Sequence, residues 1–209
     1  MSSSNPSVFK LEVNDVPAVI DVLCDSFYNY PVMRFVLGRD RQNYDEDLKI
    51  LIHFFVIARV LRREILLGIG ERNNLHGVAL VSFPAQRESP QELMKLRESV
   101  WNRLGAEIKS RYDLLTEAWA AFQVNVPHIH LNMIGVRSSL KGKGFGKMLI
   151  ESVQRISAED NNSQGVSLTT EDSSNIAIYK HFGYEITGSA DITAEISSWG
   201  FFRYDAPVL

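Results

Sequence analysis

The sequence predicts a mixed α/β fold, with strands and amphipathic helices sharing one sheet-centred core. Three observations lead there. Apolar residues recur at helical spacing, as in Val16, Val19, Ile20, Leu23 and Phe27. Between such stretches lie alternating, β-branched runs, as over 64–71 and 76–83. The 209 residues, 45% of them hydrophobic, can bury one substantial core, so a single domain over 1–209 is expected.

Taken in order, residues 8–13 alternate as a first strand, and Asn14 or Asp15 caps a helix with Pro17 in its first turn, ending near Tyr28. Pro31 separates an aromatic passage from a short helix over 32–37, where core packing is the expected role of the rings. Leu48, Leu51, Ile52, Phe55, Ala58 and Leu61 set a helix within 40–61. The runs 64–71 and 76–83 form a hairpin through the asparagines of 72–75, and Pro84 ends it. Two amphipathic helices occupy 90–123, carried by Leu93, Leu96, Val100, Leu104 and by Leu115, Ala118, Trp119, Phe122; ordinary packing is expected of both. A strand over 128–136 leads into a glycine loop and a helix over 144–157. A polar turn at 160–165, a strand over 166–170, a short helix over 174–181 stopped by Gly183, and strands near 184–189 and 195–204 complete the chain. No internal repeat appears.

Composition excludes several classes. A formal charge of -3 and no basic run beyond Arg62-Arg63 argue against a nucleic-acid surface. The greasy stretch 48–61 is interrupted by Lys49, His53 and Arg59 and falls short of the ~20 residues of a membrane span. The lone Cys24 makes no internal disulfide and reads as a buried structural thiol in a reducing compartment. Residues 1–6 lack the charge and apolar run of an export signal, so a cytoplasmic protein is expected.

The chemistry concentrates at 137–147, where Arg137, Lys141, Lys143 and Lys147 stand with no acid among them. Gly142, Gly144 and Gly146 let backbone N–H groups face outward, and the following helix adds its positive N-terminal end, so this is a phosphate-sized anion site. A solvated, flexible turn is the bland alternative. A Walker loop needs five residues before Gly-Lys-Ser/Thr, which Gly142 to Lys147 cannot supply, and Met148 lacks the hydroxyl. A Rossmann loop follows its strand directly with a third glycine three after the second; here it is two after.

A second element, Asn175-Ile176-Ala177-Ile178-Tyr179-Lys180-His181-Phe182-Gly183-Tyr184, places Asn175 and Tyr179 on one helix face. With Lys141-Gly142-Lys143-Gly144-Phe145-Gly146 before it, the chain resembles the GCN5-related N-acetyltransferase (GNAT) family, which pairs a Gln/Arg-x-x-Gly-x-Gly/Ala loop with an Asn-x-x-x-Tyr helix. Ile134-Gly135-Val136, Asp15-Val16-Pro17, Asn29-Tyr30-Pro31 and Trp199 are similar to its puromycin N-acetyltransferase-like branch. Two departures stand out. Lys141 replaces Gln or Arg and loses their planar geometry, and the branch's Leu-Glu-Thr strand reads Leu168-Thr169-Thr170, with the acid at Glu171.

The resemblance implies a single mixed, mostly antiparallel sheet flanked by helices, with 90–123 as a helical insertion. It implies acetyl-CoA as co-substrate, no metal, and a small-molecule primary amine as acceptor; a homodimer is left open. The donor would be bound by Ile134, Val136, Arg137, Lys141, Gly142, Lys143, Gly144, Phe145, Gly146, Lys147, Asn175 and Tyr179. Tyr179 would meet the departing thiolate. An amine protonated near neutrality needs a base, and the candidates are His130, Glu171 and His128 in that order, each with a structural alternative. A silent acyl-CoA-binding module and a protein N-acetyltransferase are the competing functions.

Overall fold

A computed structural model describes residues 7–84, 89–122 and 124–205. The reading of 1–6 and the last residue of the 90–123 helices lie outside these. The strands are β1 (Val8–Lys10), β2 (Ile65–Glu71), β3 (Asn74–Ser82), β4 (Ile129–Val136), β5 (Gly165–Thr170), β6 (Glu185–Thr193) and β7 (Ile196–Tyr204). They form one sheet in the order β1-β2-β3-β4-β5-β7-β6. Every pairing is antiparallel except β4 with β5.

Helices α1 (Val16–Phe27), α2 (Pro31–Leu37), α3 (Tyr44–Leu61), α4 (Gln91–Leu104) and α5 (Ala106–Ala120) cover one face. Val19, Leu23, Leu51, Ile108 and Leu115 meet Val78, Leu80 and Met133 there. Helix α6 (Phe145–Glu159) and the short α7 (Asn175–His181) cover the other, where Leu149 and Val153 meet Ala79, Val81, Ile129, Leu131, Val166 and Leu168. The expected 90–123 insertion is α4 and α5, packed on α3, α2 and the β6–β7 edge.

Several boundaries differ from the sequence reading, those of the first strand and the hairpin for evident reasons. Strand β1 stops at Lys10 because Val13–Asp15 takes a 3-10 turn, in which Asp15 accepts from the Glu12 amide at 2.8 Å and pairs with Arg72. Strand β3 starts at Asn74, so the hairpin turn is shorter than 72–75. Cys24 is half-buried rather than buried, and desolvation raises its thiol to about 11, which keeps it protonated.

The site depends on one irregularity in β4. Its register with β3 jumps from Leu80↔Met133 to Val81↔Leu131, leaving Asn132 as an extra residue. Such a bulge bends its strand and reverses the in–out alternation. Ile129 and Leu131 therefore face α6, Met133 faces the α1 side, and Ile134 and Val136 face α6 again. Beyond the bulge β4 leaves β5: their pairing is confined to Ile129↔Val166, His130↔Ser167 and Leu131↔Leu168. The sheet thus opens at its centre.

Glycines seat α5 across the β6–β7 end. A Cβ on Gly200 would lie 2.6 Å from Phe122 Cβ, and one on Gly188 would lie 2.9 Å from its ring. Gly200→Ala is expected to cost about 1–3 kcal/mol in urea unfolding, and most of that loss should vanish in a Phe122→Ala background. Equal penalties in both backgrounds would show that Phe122 does not set the constraint.

Candidate active site

The open wedge between β4 and β5 leads to a cleft of about 280 Å³. Its walls include Ile134 and Val136 from β4, Lys141, Gly142, Gly144, Phe145 and Gly146 from the loop and first turn of α6, and Asn175 and Tyr179 from α7. Of the residues expected to bind the donor, these are brought together. Lys143 and Lys147 stand exposed on the same loop, and Lys147 lies 3.7 Å from Glu151 in a solvent-exposed pair of small energetic consequence. Arg137 does not line the cleft. Its guanidinium bonds the Leu75 carbonyl at 2.8 Å and Asp21 at 2.7 Å, so it ties β4 to β3 and α1.

The glycines are not explained by crowding. Gly142 and Gly144 hold left-handed φ values of 78° and 84°, and a Cβ on either would meet nothing within 4 Å. A Cβ on Gly146 would touch only Val136, at an ordinary 3.8 Å. The loop is therefore bare on its outer side. Gly144 caps α6 without a side-chain hydrogen bond, and the first turn of α6 carries no acid. The glycine loop, the N-terminal end of α6 and Lys141 thus stand together at the cleft, with Ile134, Val136, Ile150 and Ile178 lining it beside them.

Tyr179 is buried at 7% exposure, its ring held between Tyr184 and Phe201 at centroid distances of 5.9 and 5.6 Å. Burial raises its phenol well above the ordinary range, and the neighbouring Tyr184 and Glu171 push the same way. Asn175 does not reach outward. Its amide donates to Thr170 Oγ1 at 3.1 Å, pinning α7 to the end of β5.

Glu171 sits on the other side of the wedge. It is 8% exposed, and its Oε1 accepts from Trp119 Nε1 at 3.0 Å and Ser198 Oγ at 2.7 Å. Burial raises its carboxyl above the usual range, opposed by bonds from Ser198, Trp119 and Tyr30. The Tyr30 hydroxyl bridges Thr170 Oγ1 (2.8 Å) and the Glu171 amide (3.1 Å), joining the α1–α2 corner to β5.

The two histidines lie elsewhere. His128 precedes β4, bonds the Val126 carbonyl at 2.7 Å and lines a separate cleft with Asp160 and Gln164. His130 bonds Ser167 Oγ at 2.8 Å on the α1–α5 face of the sheet. Sequence reasoning missed Tyr30, Trp119, Ser198 and Thr170 as partners of this site, along with the lining residues Leu140, Ile150 and Ile178. Among the described residues, no group of three or more His, Cys, Asp or Glu is placed to hold a metal, and no helix is long and apolar enough to cross a membrane.

Comparison with known proteins accords with this geometry. Residues 106–184 match the profile of the Acetyltransferase (GNAT) family. The fold is shared with a Corynebacterium glutamicum structure described as histone acetyltransferase HPA2 and related acetyltransferase (17% identity, 99% of this chain and 100% of that one, TM-score 0.67). It is shared with the Drosophila melanogaster polyamine N-acetyltransferase (16%, 96% and 100%, TM-score 0.68). It is also shared with arylalkylamine N-acetyltransferase 2 of Aedes aegypti (16%, 97% and 100%, TM-score 0.66). No curated protein sequence matches. The profile match spans the motif-bearing segment and the shared fold runs through nearly the whole chain, without singling out the puromycin-like or any other branch.

Gly144→Val forces a β-branched residue into left-handed backbone and fills the bare side of the loop. It is expected to weaken CoA binding at least tenfold by calorimetry while leaving the far-ultraviolet circular dichroism unchanged. Retained affinity would remove the loop from the anion site.

Proposed function

We propose that this protein is an N-acetyltransferase that takes its acetyl group from acetyl-CoA and delivers it to the primary amine of a small molecule by direct attack. The observation that carries the reading is the placement of Tyr179 and Glu171 on opposite sides of the β4–β5 wedge, the first beside the glycine loop. The co-substrate supplies an activated thioester. The loop amides of 142–147 and Lys141 bind its diphosphate, and the unpaired edge of 134–136 receives its amide-bearing arm as an added strand.

In the step itself the amine nitrogen forms the C–N bond, the C–S bond breaks, and the proton leaving nitrogen passes to Glu171. Main-chain N–H groups near Val136 stabilise the oxyanion. Tyr179 steadies the departing sulfur by donating a hydrogen bond. From reference values near 10 for a phenol and ~8.5 for a thiol, full transfer is already uphill by ~2 kcal/mol. Burial raises the phenol further, so Tyr179 acts as a hydrogen-bond donor that keeps its proton, and the thiolate leaves as the anion to take a proton from solvent.

Of the three base candidates, Glu171 is favoured because it directly follows Thr170, to which Asn175 of the Tyr179 helix is bonded, whereas His128 lines a different cleft. The small-molecule reading draws on α4 and α5, which cover the face an open protein-binding groove would need, and on the resemblance to the puromycin-like branch. The named substrates of the polyamine and arylalkylamine enzymes are small amines, and that of the Corynebacterium description is a histone; the covered face favours the former.

Tyr179→Phe is expected to lower kcat about 10²-fold with CoA affinity within twofold; equal turnover would end the leaving-group role. CoA binding with no turnover on an amine panel would instead favour a silent sensing module. A base must be deprotonated, so the raised Glu171 carboxyl sets the acidic limb of kcat/KM above the ordinary carboxylate range, and Glu171→Gln should abolish that limb with most of the rate. The linkage runs the opposite way for stability. The folded state holds the proton more tightly, so Glu171's contribution is greatest at acid pH and lost as pH rises through its folded pKa; Glu171→Gln should flatten that slope.

A further inference from the structure

A chain of polar side chains joins the helix that carries Tyr179 to the acid at the end of β5. Asn175 Nδ2, at the start of α7, lies 3.1 Å from Thr170 Oγ1, and Thr170 Oγ1 lies 2.8 Å from the Tyr30 hydroxyl. That hydroxyl is in turn one of the side chains that bond the Glu171 carboxyl. Two backbone amides enter at fixed points: Asp172 N–H donates to Thr170 Oγ1 at 3.3 Å, and Glu171 N–H donates to the Tyr30 oxygen at 3.1 Å. Thr170 is 0% exposed, so bulk water takes no part in its bonding.

A hydroxyl has one proton to give and two lone pairs to receive with, and this count fixes the directions. On Thr170 one lone pair is taken by the Asp172 amide, which can only donate. One lone pair and one proton remain for Asn175 and Tyr30. If Asn175 donates through its NH2, the Thr170 proton goes to the Tyr30 oxygen, which then receives from Thr170 and from the Glu171 amide and has its own proton left for the carboxyl. If Asn175 offered its carbonyl instead, Thr170 would donate to Asn175, Tyr30 would donate to Thr170, and Glu171 would lose a donor. The structure shows the first arrangement, with Nδ2 toward Thr170.

We infer that Asn175 is a positioning residue for the base: by donating to Thr170 it orders the hydrogen bonds Asn175 to Thr170 to Tyr30 to Glu171 so that the last of them points at the carboxylate. The inference rests on the reading of Glu171 as the base of the proposed acetyl transfer. It gives Asn175 a task other than the donor binding expected of it. No proton moves along the chain; its order sets how well the ionised carboxylate is held, and so the pH at which Glu171 accepts a proton. The titratable groups around Glu171 are Tyr30 at the α1–α2 corner, Tyr179 on α7 and Asp172 next in the chain, with Trp119 of α5 and Ser198 of β7 as its other donors.

The test follows the Glu171 carboxyl by carbon-13 NMR titration of glutamate-labelled protein, with Glu171→Gln to assign the signal, and in parallel through the acidic limb of kcat/KM. Tyr30→Phe removes the last donor without adding charge and should move both upward by about one pH unit. Asn175→Asp keeps the shape of the amide but, ionised above ~4, only accepts. It turns Thr170 and Tyr30 around and should shift Glu171 by about the same amount, while an acid in the first turn of α7 suits the helix. Because it also brings a charge, the two changes are combined: in the Tyr30→Phe background Asn175→Asp should add no more than about 0.3 unit. An undiminished shift in that background is a through-space effect of the charge and overturns the ordered chain. An unmoved carboxyl in Tyr30→Phe overturns it as well, even should Asn175→Asp fail to fold. If no amine is turned over, the acetyltransfer reading fails by itself, and the NMR titration still decides the chain.

Discussion

The whole arrangement follows from one extra residue in a strand. With Asn132 unmatched by β3, β4 bends, its alternation reverses, and it can no longer stay in parallel register with β5 past Leu131↔Leu168. Had the ladder continued, the edge of 134–136 would be paired and the sheet closed where the cleft now opens. The reversal also decides which side chains line that cleft. Ile134 and Val136 face the glycine loop only because the bulge has exchanged odd for even; without it Met133 and Gly135 would stand there, and Gly135, whose Cβ would collide with Ser26 at 2.2 Å, would lose its close fit to α1.

Two ionisable groups flank the opening, and burial treats them in the same direction with different consequences. For Tyr179 desolvation favours the neutral phenol, the form that donates a hydrogen bond. For Glu171 desolvation favours the acid, yet three donors compete with it: Trp119 and Ser198 at one oxygen, and the Tyr30 hydroxyl. Hydrogen bonds to a charged group are worth ~1.5–3 kcal/mol each, against several kcal/mol for burying the charge. Burial prevails, and the carboxyl stays raised above its usual range. The loop side of the wedge is thus built from backbone and glycine, whereas the surroundings of Glu171 rest on side chains recruited from α1–α2, α5 and β7.

That difference explains what was legible in the sequence. The loop could be read because its chemistry is local: Gly142 and Gly144 need left-handed backbone, and four cations crowd eleven residues. Asn175 and Tyr179 could be read because four residues make one helical turn. The bulge could not, since a single extra residue is visible only against the partner strand. Nor could the Trp119–Glu171 bond, made across 52 residues, or the Tyr30–Thr170 bond, made across 140. Trp119 sits at a correctly spaced apolar position, and nothing local distinguishes a packing indole from one whose N–H holds a carboxylate. His128 and His130 show the converse: both fall in the run 128–136 expected as one strand, but the chain enters β4 only at Ile129, and His128 turns into another cleft.

Helices α4 and α5 gain a role from this geometry. A carboxylate at the end of β5 would be solvated and ordinary if α5 were absent; Trp119 both covers it and supplies one of its donors. The seat of α5 is in turn fixed by Phe122 lying over Gly188 and Gly200, and by Arg111, whose Nε bonds the Val36 carbonyl of α2 at 2.8 Å. Because α2 follows the corner that carries Tyr30, the same contact that anchors α5 also anchors the hydroxyl bridging Thr170 and Glu171. The acidity of Glu171 is therefore a property of how two helical segments dock on the sheet. A substitution in the α2–α5 contact, far from the glycine loop, would alter the surroundings of Glu171 while leaving the bare loop untouched.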